Sequence, residues 1–135
     1  MTQQTQNAGL ARVTAAIVAL AFWLQWGTGT GATASANAVT TTSTTEARVS
    51  ASMSQQTVTV ANDTVQATGT IVAAATRAIT EVGLFDAVGS GSPPTGGNMD
   101  YYGSFAVINL AAADSIAARE YRSDSPRRLV FVGID

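Results

Sequence analysis

Apolar and polar residues alternate along most of this chain, and the pattern predicts short β-strands. It is clearest in residues 78–86, where even-numbered positions from Ala78 to Leu84 line one face and odd-numbered positions from Ile79 to Phe85 line the other. Both faces carry large apolar side chains. The segment is therefore predicted to be a central strand that is covered on both sides.

The same alternation predicts strands at residues 22–26, 45–53, 57–60, 64–74, 100–110 and 128–134, and residues 115–121 fit either a strand or a short helix. A helical spacing of apolar residues predicts one amphipathic helix over residues 7–21, with Asn7 as a candidate N-cap. Strands that recur about every ten residues are typical of antiparallel sheets. The predicted fold is mainly β, an antiparallel β-sandwich of seven or eight short strands with one N-terminal α-helix, forming a single domain over residues 1–135.

Two segments lack the large apolar residues of a strand or helix. Residues 27–45 are rich in Gly, Thr, Ser and Ala, which predicts a loop or an extended arm. Residues 87–98 contain Pro93, Pro94 and several glycines, which predict a long turn that has room to carry contacts.

Composition narrows the chemistry open to the chain. Charged residues make up 12% of its 135 residues, the net charge is −2, and the sequence contains no cysteine, histidine or lysine. These absences rule out disulfides, Cys/His metal sites, His-based triads and Schiff-base lysines. We therefore expect no enzymatic activity, no metal and no cofactor. The low charge disfavours nucleic acid as a partner, and a 46% hydrophobic content favours association with other protein surfaces.

Glu81 is the acid that the pattern singles out, because it shares its predicted strand face with apolar residues. An unpaired charge there would be costly, so Glu81 is predicted to form a structural ion pair. Arg48 is the first candidate partner and Arg77 the second, since the planar guanidinium binds a carboxylate through two hydrogen bonds. Gly83 in the same strand predicts that a large ring or another backbone passes close by.

Aromatic and basic residues supply the interface candidates. Alternation buries Phe22 and Trp26 and leaves Trp23 available for contact, and Tyr101 lies beside the long glycine loop. Near the C-terminus, arginines are interspersed with acids, which favours salt bridges to a neighbouring subunit over nucleic acid; Arg127 and Arg128 are the candidates.

The N-terminal region also fits a secretory signal peptide. Arg12, the apolar run from Val13 to Trp26 and the small residues Ala34–Ala36 imitate its three regions. Thr14, Gln25 and two tryptophans dilute the apolar run, which also falls short of the length of a membrane span, so none is expected. The signal interpretation remains open as an alternative.

Several short motifs together resemble a known class of proteins. They are Asn7–Leu10, Gly27–Thr30, Thr45–Arg48, Ile79–Asp86, Phe105–Leu110 and Asp114–Ile116. In this order they resemble small virion proteins of tailed phages and the N-terminal attachment domains of tail-collar fibres. The strand Ile79–Asp86, which reads Ile-Thr-Glu-Val-Gly-Leu-Phe-Asp, is the most distinctive of them. Residues 119–135 match no part of the pattern.

The resemblance implies a structural protein of the virion of a tailed phage or of a related archaeal virus. The expected partners are other virion proteins and further copies of this chain in a homo-oligomer, no small-molecule substrate is expected, and the expected location is the virion. A tail-associated or fibre-attachment role is the first hypothesis, with a capsid decoration or stabilising protein next. The alternative from another class is a secreted, adhesin-like β domain whose first 36 residues are a signal.

Overall fold

One helix and eight strands follow one another through the described part of the chain. The computed structural model describes residues 6–29, 31, 45–123 and 128–131, with side chains for residues 6–29, 31 and 45–115. The elements are α1 (Asn7–Val18), β1 (Trp23–Gly27), β2 (Val49–Ser50), β3 (Ser52–Gln56), β4 (Thr64–Val72), β5 (Arg77–Phe85), β6 (Met99–Leu110), β7 (Ser115–Ser123) and β8 (Arg128–Phe131). Most of the predicted arm, residues 30 and 32–44, lies outside the described residues.

The strands form two antiparallel sheets of four strands each. Sheet A has the order β2-β1-β5-β6 and sheet B the order β3-β4-β7-β8. This confirms a mainly β fold with antiparallel sheets and one N-terminal helix. The segment at residues 115–121, which fitted either type of structure, is strand β7 and pairs with β4 along nine residues.

The core lies between the inner faces of the two sheets. Leu24 and Trp26 of β1 and Leu84 of β5 come from sheet A, and Ala67 and Ile71 of β4 come from sheet B. All five are at most 3% exposed. Phe22, just before β1, is also buried, so the predicted burial of Phe22 and Trp26 is confirmed.

The chain passes from one sheet to the other at Ala51, between β2 and β3. The Ala51 N–H donates to the carbonyl oxygen of Phe22 at 2.8 Å, which fixes the crossing point. The single strand predicted over residues 45–53 is therefore wrong in two respects. Residues 45–48 are outside the sheets, and the remainder is divided between sheet A and sheet B.

Helix α1 packs against β3 and β4 and is shorter than predicted. It ends at Val18 instead of residue 21, because the Leu20 N–H bonds to Ile17 and a tighter last turn leads the chain into β1. Asn7 lies within the helix, and Gln6 occupies the N-cap without a side-chain bond. The buried Thr14 hydroxyl donates to the carbonyl of Asn62 at 2.6 Å, which joins the helix to the β3–β4 loop.

The strand predicted at residues 57–60 is absent from the structure, which has bends there. The reason is Asp63, whose carboxylate accepts the N–H groups of Val58, Thr59 and Val60 at 3.0 Å each. Backbone donors that a strand would direct to a neighbour converge on one side chain. Alternation of Thr and Val cannot reveal such a loop.

Candidate functional site

Polar side chains lie on the outer face of sheet A, the face directed away from the core. Strict alternation in β1 places Gln25 there, between the core residues Leu24 and Trp26. The register places Gln25 opposite Gly83, Gly27 opposite Glu81 and Trp23 opposite Phe85. Gln25, Glu81 and Phe85 are nonetheless at most 2% exposed. This face is therefore covered, and what covers it defines the candidate site.

Arg48 provides much of the cover and is itself 5% exposed. Its guanidinium carbon lies 3.6 Å from the centre of the Phe85 ring, a cation–π geometry. Nε donates to Gln25 Oε1 at 2.9 Å, and Nη1 donates to the carbonyls of Ala87 and Gly96 at 2.8 Å each. Burial lowers the pKa of Arg48, and the charge of Asp86 opposes that shift. Arg48 thus acts as a clamp between β1, β5 and the following loop.

The loop after β5 is held down over this face. Gln25 Nε2 donates to the carbonyl of Pro94 at 3.2 Å, and Pro94 is buried. Ser90 and Thr95 exchange two backbone hydrogen bonds of 3.0 and 2.9 Å. Asn98 closes the base of the loop by donating its N–H and its side-chain amide to Asp86 at 2.7 and 2.8 Å. The segment predicted as a long turn is a fixed structural element.

Glu81 is fully buried and holds the start of the arm. Its carboxylate accepts the Gly29 N–H at 3.2 Å and the Tyr102 hydroxyl at 2.8 Å. A Cβ on Gly27 would overlap the Glu81 carboxylate, which would then have to shift from its buried position. The Thr80 hydroxyl also donates to the Gly29 carbonyl, at 2.6 Å. Together these contacts fix the Gly-Thr-Gly run against β5.

The predicted Glu81–Arg48 ion pair is wrong. Both residues lie on the outer face of sheet A, but the described partners of Arg48 are Phe85, Gln25 and two loop carbonyls. Along β5, Phe85 lies four residues beyond Glu81, about 13 Å at the rise of a strand. The sequence places the two charges on one face without giving their separation along it.

An ion pair joins Glu46 to Arg77, with Arg77 Nε 3.0 Å from Glu46 Oε1. Glu46 Oε1 also accepts the Ala74 N–H at 2.9 Å, and Oε2 accepts Trp26 Nε1–H at 3.3 Å. Burial raises the pKa of Glu46, but hydrogen bonds from Ala74, Arg77 and Trp26 outweigh it and lower the pKa overall. Sequence reasoning missed Glu46, because its partners Ala74, Arg77 and Trp26 are remote from it in sequence.

Gly83 confirms the expectation of a close neighbour. A Cβ there would lie 2.7 Å from the Met99 sulfur and 2.8 Å from Cε2 of the Phe85 ring. The ring on which Arg48 stacks therefore lies across Gly83. The alternation of β5 is less regular than predicted at its other end, because Ile79 joins the core cluster with Val82 and the pairing with β6 shifts between Ile79 and Glu81.

The interface candidates differ in their exposure and in whether the structure describes them. Trp23 and Tyr101 are half-buried, and Tyr101 packs edge-on against Phe22 with ring centres 6.1 Å apart. Arg127 lies outside the described residues, and of Arg128 the structure describes the backbone alone, as the first residue of β8. Among the residues whose side chains are described, alternation did not identify the exposed large apolar ones, which are Val58, Leu20, Val72, Val88, Val107 and Val13.

Within the described residues, no group of three or more acidic side chains is arranged to hold a metal ion. No helix of that part of the chain has the length and apolar character needed to cross a membrane. Glu81, Arg48 and Glu46 all make structural contacts with backbone or neighbouring side chains. Comparison of the chain with known protein families, with curated proteins and with solved structures finds no match.

Proposed function

We propose that this chain is a non-enzymatic structural subunit of a viral particle that assembles through protein–protein contacts, in a tail-associated or fibre-attachment role. One observation carries the proposal: motifs of the resemblance that are far apart in sequence contact one another. Gly29 bonds to Glu81, which joins the Gly-Thr-Gly motif to the strand Ile79–Asp86. Arg48, the last residue of Thr45–Arg48, stacks on Phe85 of the same strand.

These contacts turn a series of short likenesses into one connected arrangement on sheet A. Because the motifs meet at β5, they belong to one structural unit. This supports the resemblance to virion proteins, which concerns the motifs taken together.

The covered face also suits a part that makes protein contacts. The loop at residues 87–97 is already fixed by Arg48 and Gln25, so a partner that binds it has little loop entropy to remove. Val88 in this loop is 55% exposed. A fixed loop with an exposed apolar side chain favours docking over chemistry.

The secreted alternative conflicts with the position of β1. Cleavage after residue 36 would remove α1 and β1, and β1 lies between β2 and β5 inside sheet A. Phe22, Leu24 and Trp26 would leave the core, each contributing about 1.5–3 kcal/mol of burial. The adhesin-like function would therefore need a sheet without its second strand.

Mass spectrometry of purified virus particles that carry the gene tests the proposal. The expected result is this chain at a constant ratio to the major particle proteins through successive purification steps, with peptides from residues 7–27 present. Separating tails from shells then distinguishes the tail role from capsid decoration. Loss of the chain during purification, or a secreted product that lacks residues 1–36, would refute the proposal.

A further inference from the structure

The described partners of α1 and β1 all lie beyond residue 44. We name residues 7–27 the N-terminal unit. Its strand β1 pairs with β2 and with β5. Its helix contacts β3 and β4, with Thr14 bonded to Asn62 and with the amide of Gln55 bonded to Ala11 at 2.9 Å. The unit therefore fits the rest of the fold as one separate piece.

The hydrogen bonds of β1 and of Phe22 just before it also lead to residues beyond 44. Trp26 donates to Glu46, Gln25 accepts from Arg48 and donates to Pro94, and the Phe22 carbonyl accepts from Ala51. Each of these bonds crosses the segment between Gly27 and Thr45. A strand inserted into the middle of a sheet by contacts of this kind can be supplied by any chain that has the same sequence.

The connection is long enough to allow that. Gly29 is bonded to β5, so the remaining connection is residues 30–44, about 15 residues, which at about 3.3 Å per residue span roughly 50 Å when extended. A domain of this size is about 35–40 Å across. Their composition is Gly, Ala, Thr, Ser and Asn, with Val39 as the one large apolar residue. The connection can therefore carry the N-terminal unit to the equivalent position in an adjacent copy.

We propose that copies of this chain assemble by exchanging the N-terminal unit, so that β1 of one copy completes sheet A of its neighbour. The inference rests on the proposed role as an assembly subunit. Exchange retains the contacts of the closed form, so the balance depends on closure of the connecting segment and on protein concentration. Exchange would therefore join two copies through the same contacts that β1 and α1 make within one chain.

An engineered disulfide between β1 and β2 distinguishes the two forms. Trp23 and Ser50 are direct partners in an antiparallel pair, about 4.5–5.5 Å apart between Cα atoms, within the range that a disulfide spans. The natural chain has no cysteine, so Trp23→Cys with Ser50→Cys forms one defined bond. Oxidation after assembly links different chains if the unit is exchanged and links one chain to itself if it is not.

Two further variants keep the test decisive. Ser52→Cys with Thr68→Cys joins β3 to β4, both outside the N-terminal unit, and gives the intrachain product in either case. Leu24→Cys with Val49→Cys is the other β1–β2 pair in the same register and replaces the first pair if loss of Trp23 prevents folding.

The assembled fraction from size-exclusion chromatography with light scattering is oxidised and run on non-reducing gels. Exchange predicts covalent dimers or longer ladders from either pair that spans β1 and β2, and single-chain bands from the β3–β4 control. Assembly with single-chain bands throughout would overturn the exchange and leave the virion role intact. A chain that stays monomeric up to millimolar concentration would also overturn it, whereas the virion role is judged separately by its presence in particles.

Discussion

Replacing Arg48 with methionine tests the clamp on the outer face of sheet A. Methionine keeps most of the apolar stem but removes the charge and every donor. Three acceptors then lose their partner: Gln25 Oε1 and the carbonyls of Ala87 and Gly96. The cation–π contact with Phe85 is lost as well.

The size of the stability loss depends on whether each unpaired group can form a new hydrogen bond to water. The Gln25 acceptor is buried and costs about 1–3 kcal/mol when unpaired, while the loop carbonyls can turn toward water and cost less. The cation–π contact adds about 1–2 kcal/mol, since Arg48 is buried. Relief from burying a guanidinium offsets part of this sum. We expect Arg48→Met to lower the free energy of unfolding by about 2–4 kcal/mol.

Urea denaturation at 25 °C, followed by tryptophan fluorescence, measures this loss. With a slope of about 1–3 kcal/mol per molar urea, the midpoint should fall by roughly 1–2 M. Arg12→Met is the matched control, because Arg12 is exposed on α1 and its loss should change stability by less than about 0.5 kcal/mol. A loss below 1 kcal/mol for Arg48→Met would refute the clamp, and strong coupling to Glu81→Gln in a double-mutant cycle would restore the ion pair predicted from sequence.

Three further predictions concern other parts of the fold. A double-mutant cycle of Glu46→Gln and Arg77→Met should give a coupling energy of about 0.5–3 kcal/mol in urea denaturation, and additive losses would show that the ion pair contributes nothing. Burial raises the pKa of Asp63, but its backbone and hydroxyl hydrogen bonds outweigh this and lower it to about 2, so its stabilisation is complete above the unfolded value of 3.8 and is lost as the pH falls through 2. After allowance for solvent screening, we expect acidification to lower the free energy of unfolding of the natural chain by about 1–2 kcal/mol more than that of Asp63→Asn. Parallel curves of unfolding free energy against pH for the two proteins would contradict this. Gly83→Ala should cost about 1–3 kcal/mol, because the added methyl group overlaps the Met99 sulfur and the adjacent ring; unchanged thermal stability would show that these groups move aside freely.

Local pattern was sufficient to predict most of the strands, because a period of two depends only on a strand's own residues. The strand β1 illustrates this: the alternation of Leu24 and Trp26 with Gln25 already separates the core face from the outer face. The same logic failed at residues 57–60. There the side chain of Asp63, three residues farther along, competes with the sheet for the backbone donors.

The candidate site was harder to predict because it depends on distances between remote segments. The sequence shows that Glu81 is an acid among apolar residues and that arginines are available. It does not show that Tyr102 and Gly29 supply the donors for Glu81, or that loop carbonyls take the donors of Arg48. Glu46 carried no local signal, since its burial follows from where Trp26 and Arg77 lie in the folded chain.

Electron cryo-microscopy of purified particles that carry the gene tests the central claim most directly. The account predicts repeated density for a subunit of two four-stranded antiparallel sheets, at symmetric positions on the tail, with the loop at residues 87–97 ordered against sheet A. Density for the same subunit on the shell would instead indicate a capsid decoration protein. A complete particle map in which every protein density is assigned to other chains would contradict the claim.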